Sequence, residues 1–303
     1  MAPTQTPSQV NVVALRQFVP TLHTEVYAAI DPTTTKLPQP FTAVILGGSG
    51  AVGGGLARSY ARAGATGVVL AARRLELVQA VADEVKTINP SVQTLTLKCD
   101  VSSPSDVAAV AEATRAQFGA TVGAVVVNAG YSGPLVNDIT QETAEDFQKA
   151  FNVNTLGTVF AAQSFIPIIR DAAATSPASY KGVFIGISSM AAPTINGPVA
   201  HISYCASKFA QARIIEMLKE QQQQQNGGDD DGIFFAALHP GGVKNLTESP
   251  DLAGAFCVWL TQNQDRVRVL NGRFLSAKWD VDELLSKRDE IVEQDLLRAR
   301  SAL

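Results

Sequence analysis

Tyr204 and Lys208 lie four residues apart in the run His201-Ile-Ser-Tyr-Cys-Ala-Ser-Lys208, so on a helix their side chains leave from the same face. A phenol with a pKa of about 10 is a poor base at neutral pH. An ammonium beside it favours the phenolate and lowers that pKa, and the tyrosine can then exchange a proton with a substrate oxygen while hydride moves elsewhere. Ser188 and Ser189 stand upstream, and a glycine-rich turn from Gly47 to Gly55 lies near the start of the chain. The bare spacing Tyr-x-x-x-Lys also occurs on helix surfaces as an exposed packing pair, so the surrounding elements have to decide between the two.

The glycine turn supplies the first such element. Gly48-Ser-Gly50-Ala-Val-Gly53 matches G-x-G-x-x-G, between an apolar run at Phe41–Leu46 and a helical stretch from Val52 to Ala63. In that setting small residues let the backbone approach a pyrophosphate, and the helix N-terminus offers unpaired N–H groups and a positive dipole end. A glycine turn that only lets strand and helix pack closely is the plainer alternative. The next apolar run ends Val-Val-Leu-Ala71-Ala72-Arg73-Arg74. A carboxylate here would accept hydrogen bonds from an adenosine ribose diol and repel a 2′-phosphate; Ala72 occupies that place, about twenty residues past the glycines. Arg73 can instead pair with a 2′-phosphate, with Arg74 and Ser49 as helpers, so NADP is favoured over NAD. Arg74 also reads simply as the start of a solvated helix. A nicotinamide-dependent carbonyl or alcohol oxidoreductase is the chemistry these features share.

The rest of the composition narrows the partners. The chain has 303 residues, 46% hydrophobic and 17% charged, enough for a substantial core and too few charges for wholesale disorder. Its net charge of -4 gives no electrostatic reason to bind nucleic acid or an anionic membrane. Cys99, Cys205 and Cys257 are odd in number and share no metal-ligand spacing, which suits reduced thiols. Residues 1–20 show no signal peptide and no run long enough to span a membrane, and a cytoplasmic protein without metal is expected. No serine, histidine and acid arrangement has a convincing context.

Strand and helix signals alternate from Phe41 onward. Buried-strand candidates are Phe41–Leu46, Val68–Ala72, Thr94–Lys98, Ala124–Asn128, Val183–Ile187 and Ile233–Leu238, with an edge strand within Arg268–Ala277. Helical stretches run over Leu75–Ile88, Ser105–Phe118, Glu142–Arg170, Ser203–Gln223 and Val281–Leu297. This order predicts an α/β fold, a Rossmann-type doubly wound parallel sheet, as one domain over residues 41–303. Residues 1–40, with six prolines and no sustained periodicity, read as an N-terminal extension wrapping over it. Glu220–Asp231, rich in Gln, Gly and Asp, reads as a solvated helix end and loop.

Taken together the residues resemble the short-chain dehydrogenase/reductase family over Phe41–Ala277. Asp100-Val101 looks like the family's adenine-contacting pair, and Asn128-Ala129-Gly130 like its Asn-Ala-Gly turn. Asn154 fits the helix asparagine that helps hold a proton-relay water, and Ser189, Tyr204 and Lys208 complete the family's tetrad. Pro240-Gly241-Gly242-Val243 resembles the loop after the sixth strand that approaches the nicotinamide. The implied cofactor-binding set is Gly47, Ser49, Gly50, Val52, Gly53, Arg73, Arg74, Asp100, Val101, Asn128, Ala129, Gly130, Tyr204, Lys208, Pro240, Gly241, Val243 and Asn245. Departures accompany the match. Leu46 replaces the usual threonine before the first glycine, Ala51 takes the second glycine position, Val127 stands where an asparagine often precedes the turn, and Asn245 replaces a threonine. The Ser189–Tyr204 interval is also longer than usual. The stretches Asn271–Leu285 and Leu22–Pro32 are similar to a subgroup common in filamentous fungi, which makes a specialised-metabolism substrate plausible.

The resemblance implies hydride transfer between NADP(H) and a ketone or secondary alcohol. Tyr204 would exchange the proton, Ser189 would position the oxygen, Lys208 would tune Tyr204 and hold the nicotinamide ribose, and Asn154 would hold a water reaching Lys208. Ser188 remains the alternative to Ser189, because the register at a strand end is open. His201 reads either as a substrate contact or as an ordinary loop residue, and His239 as structural. The fold also hosts non-redox isomerisation, dehydration or cyclisation with bound NADP(H), and cofactor-binding regulators. A homodimer or homotetramer is implied through helices near Asp146–Arg170 and Ser203–Lys219. Substrate shape would be set by Tyr131–Asp138, Met190–His201 and Leu246–Phe256.

Overall fold

The structure, a computed structural model, describes residues 14–136, 138–175, 181–195, 201–228, 232–242 and 247–299. Seven strands, β1 (Thr42–Leu46), β2 (Gly67–Ala72), β3 (Gln93–Lys98), β4 (Val122–Val127), β5 (Val183–Ile187), β6 (Phe234–His239) and β7 (Arg273–Ser276), form one sheet in the order β3-β2-β1-β4-β5-β6-β7. Every pairing is parallel. Residues in β1, β4 and β5 are buried throughout, which is why these strands read as continuous apolar runs: helices cover both faces. The covering helices are α1 (Ala51–Arg62), α2 (Leu75–Ile88), α3 (Pro104–Phe118), α4 (Ala144–Ala150), α5 (Gly157–Thr175), α6 (Ile202–Gln225) and α7 (Pro250–Gln262). Two buried apolar clusters result, one on each face. The chain crosses from one half of the sheet to the other between β1 and β4, and a ligand crevice opens at the carboxyl ends of strands at such a point.

The glycine run continues past the turn because α1 packs against α7 at backbone distance. A Cβ on Gly55 would stand 2.0 Å from the carbonyl oxygen of Pro250, and one on Gly254 would stand 2.4 Å from that of Gly55. Arg58 and Arg62 flank this contact and both donate to Asp251, at 2.6 Å each. Gly55→Val is therefore expected to destabilise the fold by about 3 kcal/mol, the upper end of overpacking costs, read as a lower denaturation midpoint at unchanged slope.

Two expected helices come out broken. The stretch Glu142–Arg170 becomes α4 and α5 joined by a π-helical segment, Phe151–Leu156, with Asn154 inside it. The stretch Val281–Leu297 becomes two short helices, α8 (Val281–Ser286) and α9 (Arg288–Glu293), and the chain then leaves helical geometry with φ of 44° at Asp295 and 63° at Leu297. Tertiary bonds override the periodicity there. Leu297 O accepts from Phe274 N–H at 2.9 Å, and Ala299 N–H reaches Glu216 on α6 at 2.8 Å.

The described part of the N-terminal segment, 14–40, lies across the molecule, with Val19, Ile30 and Leu37 in the core. Its middle forms a strap along the segment after β7. Leu22 bridges to Trp279, His23 meets Asp280 at 2.9 Å, and the Tyr27 hydroxyl accepts from Val281 N–H at 2.9 Å. Phe18 packs on Trp279 with centroids 5.3 Å apart.

Candidate active site

At the β1/β4 crossover two turns lock into each other. Gly47 adopts φ +98°, and a Cβ there would lie 2.4 Å from Ala129 N, so both conformation and space require glycine. Asn128 holds the arrangement by donating from Nδ2 to Gly47 O at 2.7 Å, while its own N–H and that of Ala129 go to Leu46 O at 2.8 Å each. These backbone bonds fix the turn despite Leu46 standing in place of the usual threonine.

A crevice of about 260 Å³ opens beside the turns and brings together Gly47, Ser49, Gly50, Arg73, Arg74, Asp100, Val101, Asn128, Ala129 and Gly130. Ala72 lines it at the end of β2, as expected from the sequence, and Cys99 and Val153 line it too and were not anticipated. Gly53 sits behind the turn, where a Cβ would stand 2.2 Å from Gly47 O; its role is to let α1 approach. Val52 packs against the core at the start of α1. The Asp100 carboxylate is engaged by the Ser102 N–H at 3.0 Å and the Ser102 hydroxyl at 2.7 Å, bracing the turn ahead of α3, whose N-cap is Ser103. Pro240 and Gly241 follow β6 directly, whereas Val243 and Asn245 lie outside the described residues.

Tyr204 and Lys208 stand on the first turns of α6, the tyrosine half-buried and the lysine buried. The Ser189 hydroxyl bonds the Tyr204 phenol and also accepts from Ala191 N–H at 3.1 Å. Ser188 turns the other way, its hydroxyl directed at Lys208 O at 3.4 Å, so it is Ser189 that faces Tyr204. Burial raises the Tyr204 pKa, partly offset by the Ser189 hydrogen bond. This differs from the expected lowering by Lys208, and the reason is visible in the lysine's own bonds. Lys208 Nζ donates to Ile187 O at 2.7 Å and to Gln211 Oε1 at 3.1 Å, and burial drops its pKa to about 7. Gln211, one turn beyond Lys208 on the same helix, was not anticipated although the i+3 spacing would have exposed it.

Asn154 braces the loop after β4. Its Oδ1 accepts from Tyr131 N–H at 2.8 Å, and its Nδ2 donates to Tyr131 O at 2.8 Å and to Ser207 Oγ at 2.9 Å. Both Nδ2 hydrogens are used, while Oδ1 takes one donor and has a second lone pair for a relay water; the Asn154 main-chain carbonyl also accepts the Thr158 hydroxyl at 3.1 Å. A π segment in a helix commonly marks such a functional position. A Cβ on Gly130 would come within 3.5 Å of Asn154 Oδ1 and 3.6 Å of Lys208 Nζ, so these three positions are neighbours.

The two histidines resolve differently. His201 is buried and stacks on Tyr204, ring centroids 5.2 Å apart at 15°. His239 Nδ1 accepts from Met190 N–H at 3.2 Å, which ties the turn carrying Ser189 to the end of β6, and burial lowers its pKa to about 4. A separate apolar cavity of about 380 Å³ lies along α6, lined among others by Thr194, His201, Cys205 and Phe209. Ser189, Tyr204 and Lys208 do not line it. The expected substrate-side segments include residues 137, 196–200 and 246, which lie outside those described. Among the described residues no group of acids, histidines and cysteines could hold a metal, and no helix is long and apolar enough to cross a membrane.

The parallel sheet thus combines this strand order with a glycine turn at its crossover and with Ser189, Tyr204 and Lys208 one strand away. The chain matches the short chain dehydrogenase family over residues 41–251 and belongs to it. It is 26% identical to the short chain dehydrogenase pgmD of Aspergillus terreus, over 94% of each chain. To the short chain dehydrogenase andI of Emericella variicolor it is 28% identical, over 95% of this chain and 97% of the other. Among solved structures, L-sorbose reductase from Gluconobacter frateurii, complexed with NADPH and L-sorbose, superposes with a TM-score of 0.64 at 24% identity, over 79% of this chain and 95% of that one. A 7α-hydroxysteroid dehydrogenase complexed with NADH superposes with a TM-score of 0.63 at 21% identity, over 83% and 96%. These structures share the fold, and the fungal relatives accord with the resemblance seen in Leu22–Pro32 and Asn271–Leu285.

Proposed function

We propose that the protein is an NADP(H)-dependent reductase or dehydrogenase of a ketone/secondary-alcohol pair. The observation that carries this reading is the Tyr204 phenol hydrogen-bonded to Ser189, with Lys208 on the same face of α6 and beside Gly130 of the crevice. Arg73 and Arg74, at the end of β2 with no carboxylate at Ala72, support NADP(H) over NAD(H). The Gly47–Gly53 turn would hold the pyrophosphate on the N-terminus of α1, and Asp100-Val101 would border the adenine. Bound NADPH would supply the hydride.

Ser189 donates to the substrate carbonyl oxygen and fixes its position, and Tyr204 delivers the proton to the same atom. Tyr204 is suited to reduction because its raised pKa keeps the proton in place near neutrality. Lys208 stabilises the negative charge that develops on the phenol oxygen as the proton leaves. Asn154 would anchor the water that returns the proton. Steady-state assay of the purified protein with NADPH and a panel of ketones tests this reading by the loss of cofactor absorbance.

The lysine gives a pH prediction. Its pKa of about 7 means the ammonium is present below that value and lost above it. Reductive kcat/KM is therefore expected to be flat at lower pH and to fall by up to about tenfold per unit above about 7. A flat profile through that region would exclude a required Lys208 charge in the free enzyme.

Self-association is part of the proposal. Ile202, Phe209 and Met217 on α6 are 47%, 44% and 62% exposed, an apolar stripe that a second copy of the chain would cover. Light scattering after size exclusion tests for a dimer or tetramer. A specialised-metabolism ketone is the substrate class we favour, on the strength of the fungal relatives.

A further inference from the structure

The turn after β6 is held from beneath by a buried charge. Glu248 is 6% exposed, and its Oε2 accepts from Gly242 N–H at 2.8 Å and from the Thr247 hydroxyl. Its Oε1 pairs with Lys278 Nζ. Gly241 adopts φ +100°, and a Cβ there would press within 3.1 Å of the Glu248 side chain, so the turn and the carboxylate are fitted to each other. The N-terminal strap grips Lys278 and the residue after Glu248 with two consecutive residues: His23 N–H donates to Lys278 O at 2.7 Å, and Thr24 O accepts from Ser249 N–H at 2.7 Å. His239 lies within electrostatic reach of both charges of the pair and holds the Ser189 turn through Met190.

Strand order says which end of the crevice this is. Arg73 and Arg74 follow β2, Ser189 follows β5, and Pro240–Gly242 follows β6, next to β5 and on the side away from β2. The arginine end takes the adenosine side of a dinucleotide, so the β6 turn borders the reactive side. We infer that Glu248, held by Lys278 and by the strap, is a positioning residue that sets the Pro240–Gly242 turn against the nicotinamide half of the cofactor. This rests on the cofactor reading above. A buried carboxylate accepting a backbone N–H while paired with an ammonium is a strong, directional tether, and its loss leaves the Gly242 N–H without that acceptor.

The test compares two probes on the full chain: NADPH, and adenosine 2′,5′-bisphosphate, which ends before the nicotinamide. Calorimetric titration is run on the wild type, Glu248→Gln, Lys278→Met and the charge-exchanged double variant Glu248→Lys/Lys278→Glu, with thermal melts confirming folding. The inference expects NADPH affinity to fall by about tenfold in each single variant, the scale of one charge-assisted bond, while bisphosphate affinity stays within about twofold. The double variant restores an ion pair but places at position 248 an ammonium that cannot accept from Gly242 N–H, so it is expected to recover none of the loss. Unchanged NADPH affinity in the folded single variants overturns the inference, as does an equal fall for both probes. Lys278 is 26% exposed, so its replacement provides the result if Glu248→Gln does not fold. A wild type that binds neither NADPH nor NADH overturns the cofactor reading itself, and the inference with it.

Discussion

Tyr204→Phe is expected to lower turnover by at least about a hundredfold, the lower range for loss of a general acid, while leaving NADPH affinity near the wild-type value. The substitution deletes one oxygen from a half-buried ring that also stacks on His201, so the packing of α6 is retained. Ser189 still positions the substrate oxygen but no group of suitable reach supplies the proton. A fall in kcat with unchanged cofactor Kd is the signature to look for. Equal falls in affinity and turnover would instead place the phenol in binding, and an unchanged kcat would remove Tyr204 from the chemistry.

Arg73→Ala is expected to weaken NADPH binding by about ten- to a hundredfold, the worth of one charge-assisted contact, with NADH affinity little changed. Arg73 is exposed at the end of β2 and lines the crevice beside Ser49 and Arg74. Adding Ala72→Asp in the same chain places an acceptor where a ribose diol would lie and repels a 2′-phosphate, so the double variant is expected to prefer NADH. Side-by-side titrations with the two cofactors measure the switch. Equal weakening for both cofactors would mean the arginine shapes the site without reading the phosphate.

Much of this site was legible because it is locally encoded. A strand buried on both faces must be an apolar run, and β1, β2, β4, β5 and β6 announced themselves in that way, whereas β3 at the sheet edge alternates polar and apolar residues and is only partly buried. The glycine turn and Asn128-Ala129-Gly130 carry their function in a few consecutive residues, as do Tyr204 and Lys208 through helical spacing. What escaped the sequence depends on long-range contacts. The bonds of the Asn154 carboxamide to Tyr131 and Ser207 are of this kind, since only the fold brings those groups to it. The π segment around it has no periodicity of its own. Likewise the choice between Ser188 and Ser189 turns on which hydroxyl meets α6 backbone and which meets the phenol. The strap is the extreme case: His23 and Asp280 are 257 residues apart in the chain, and proline content alone could say only that the segment is extended.

The central claim is net hydride transfer from NADPH to a carbonyl carbon. The most direct measurement incubates the wild-type protein with NADPH deuterated at nicotinamide C4 and a panel of aliphatic and aromatic ketones, then reads the products by mass spectrometry. The account predicts an alcohol carrying deuterium at the carbinol carbon, one per NADP⁺ formed, absent with Tyr204→Phe. A product that forms without label while the deuterated cofactor is recovered intact would contradict it, and would assign the site to a non-redox reaction.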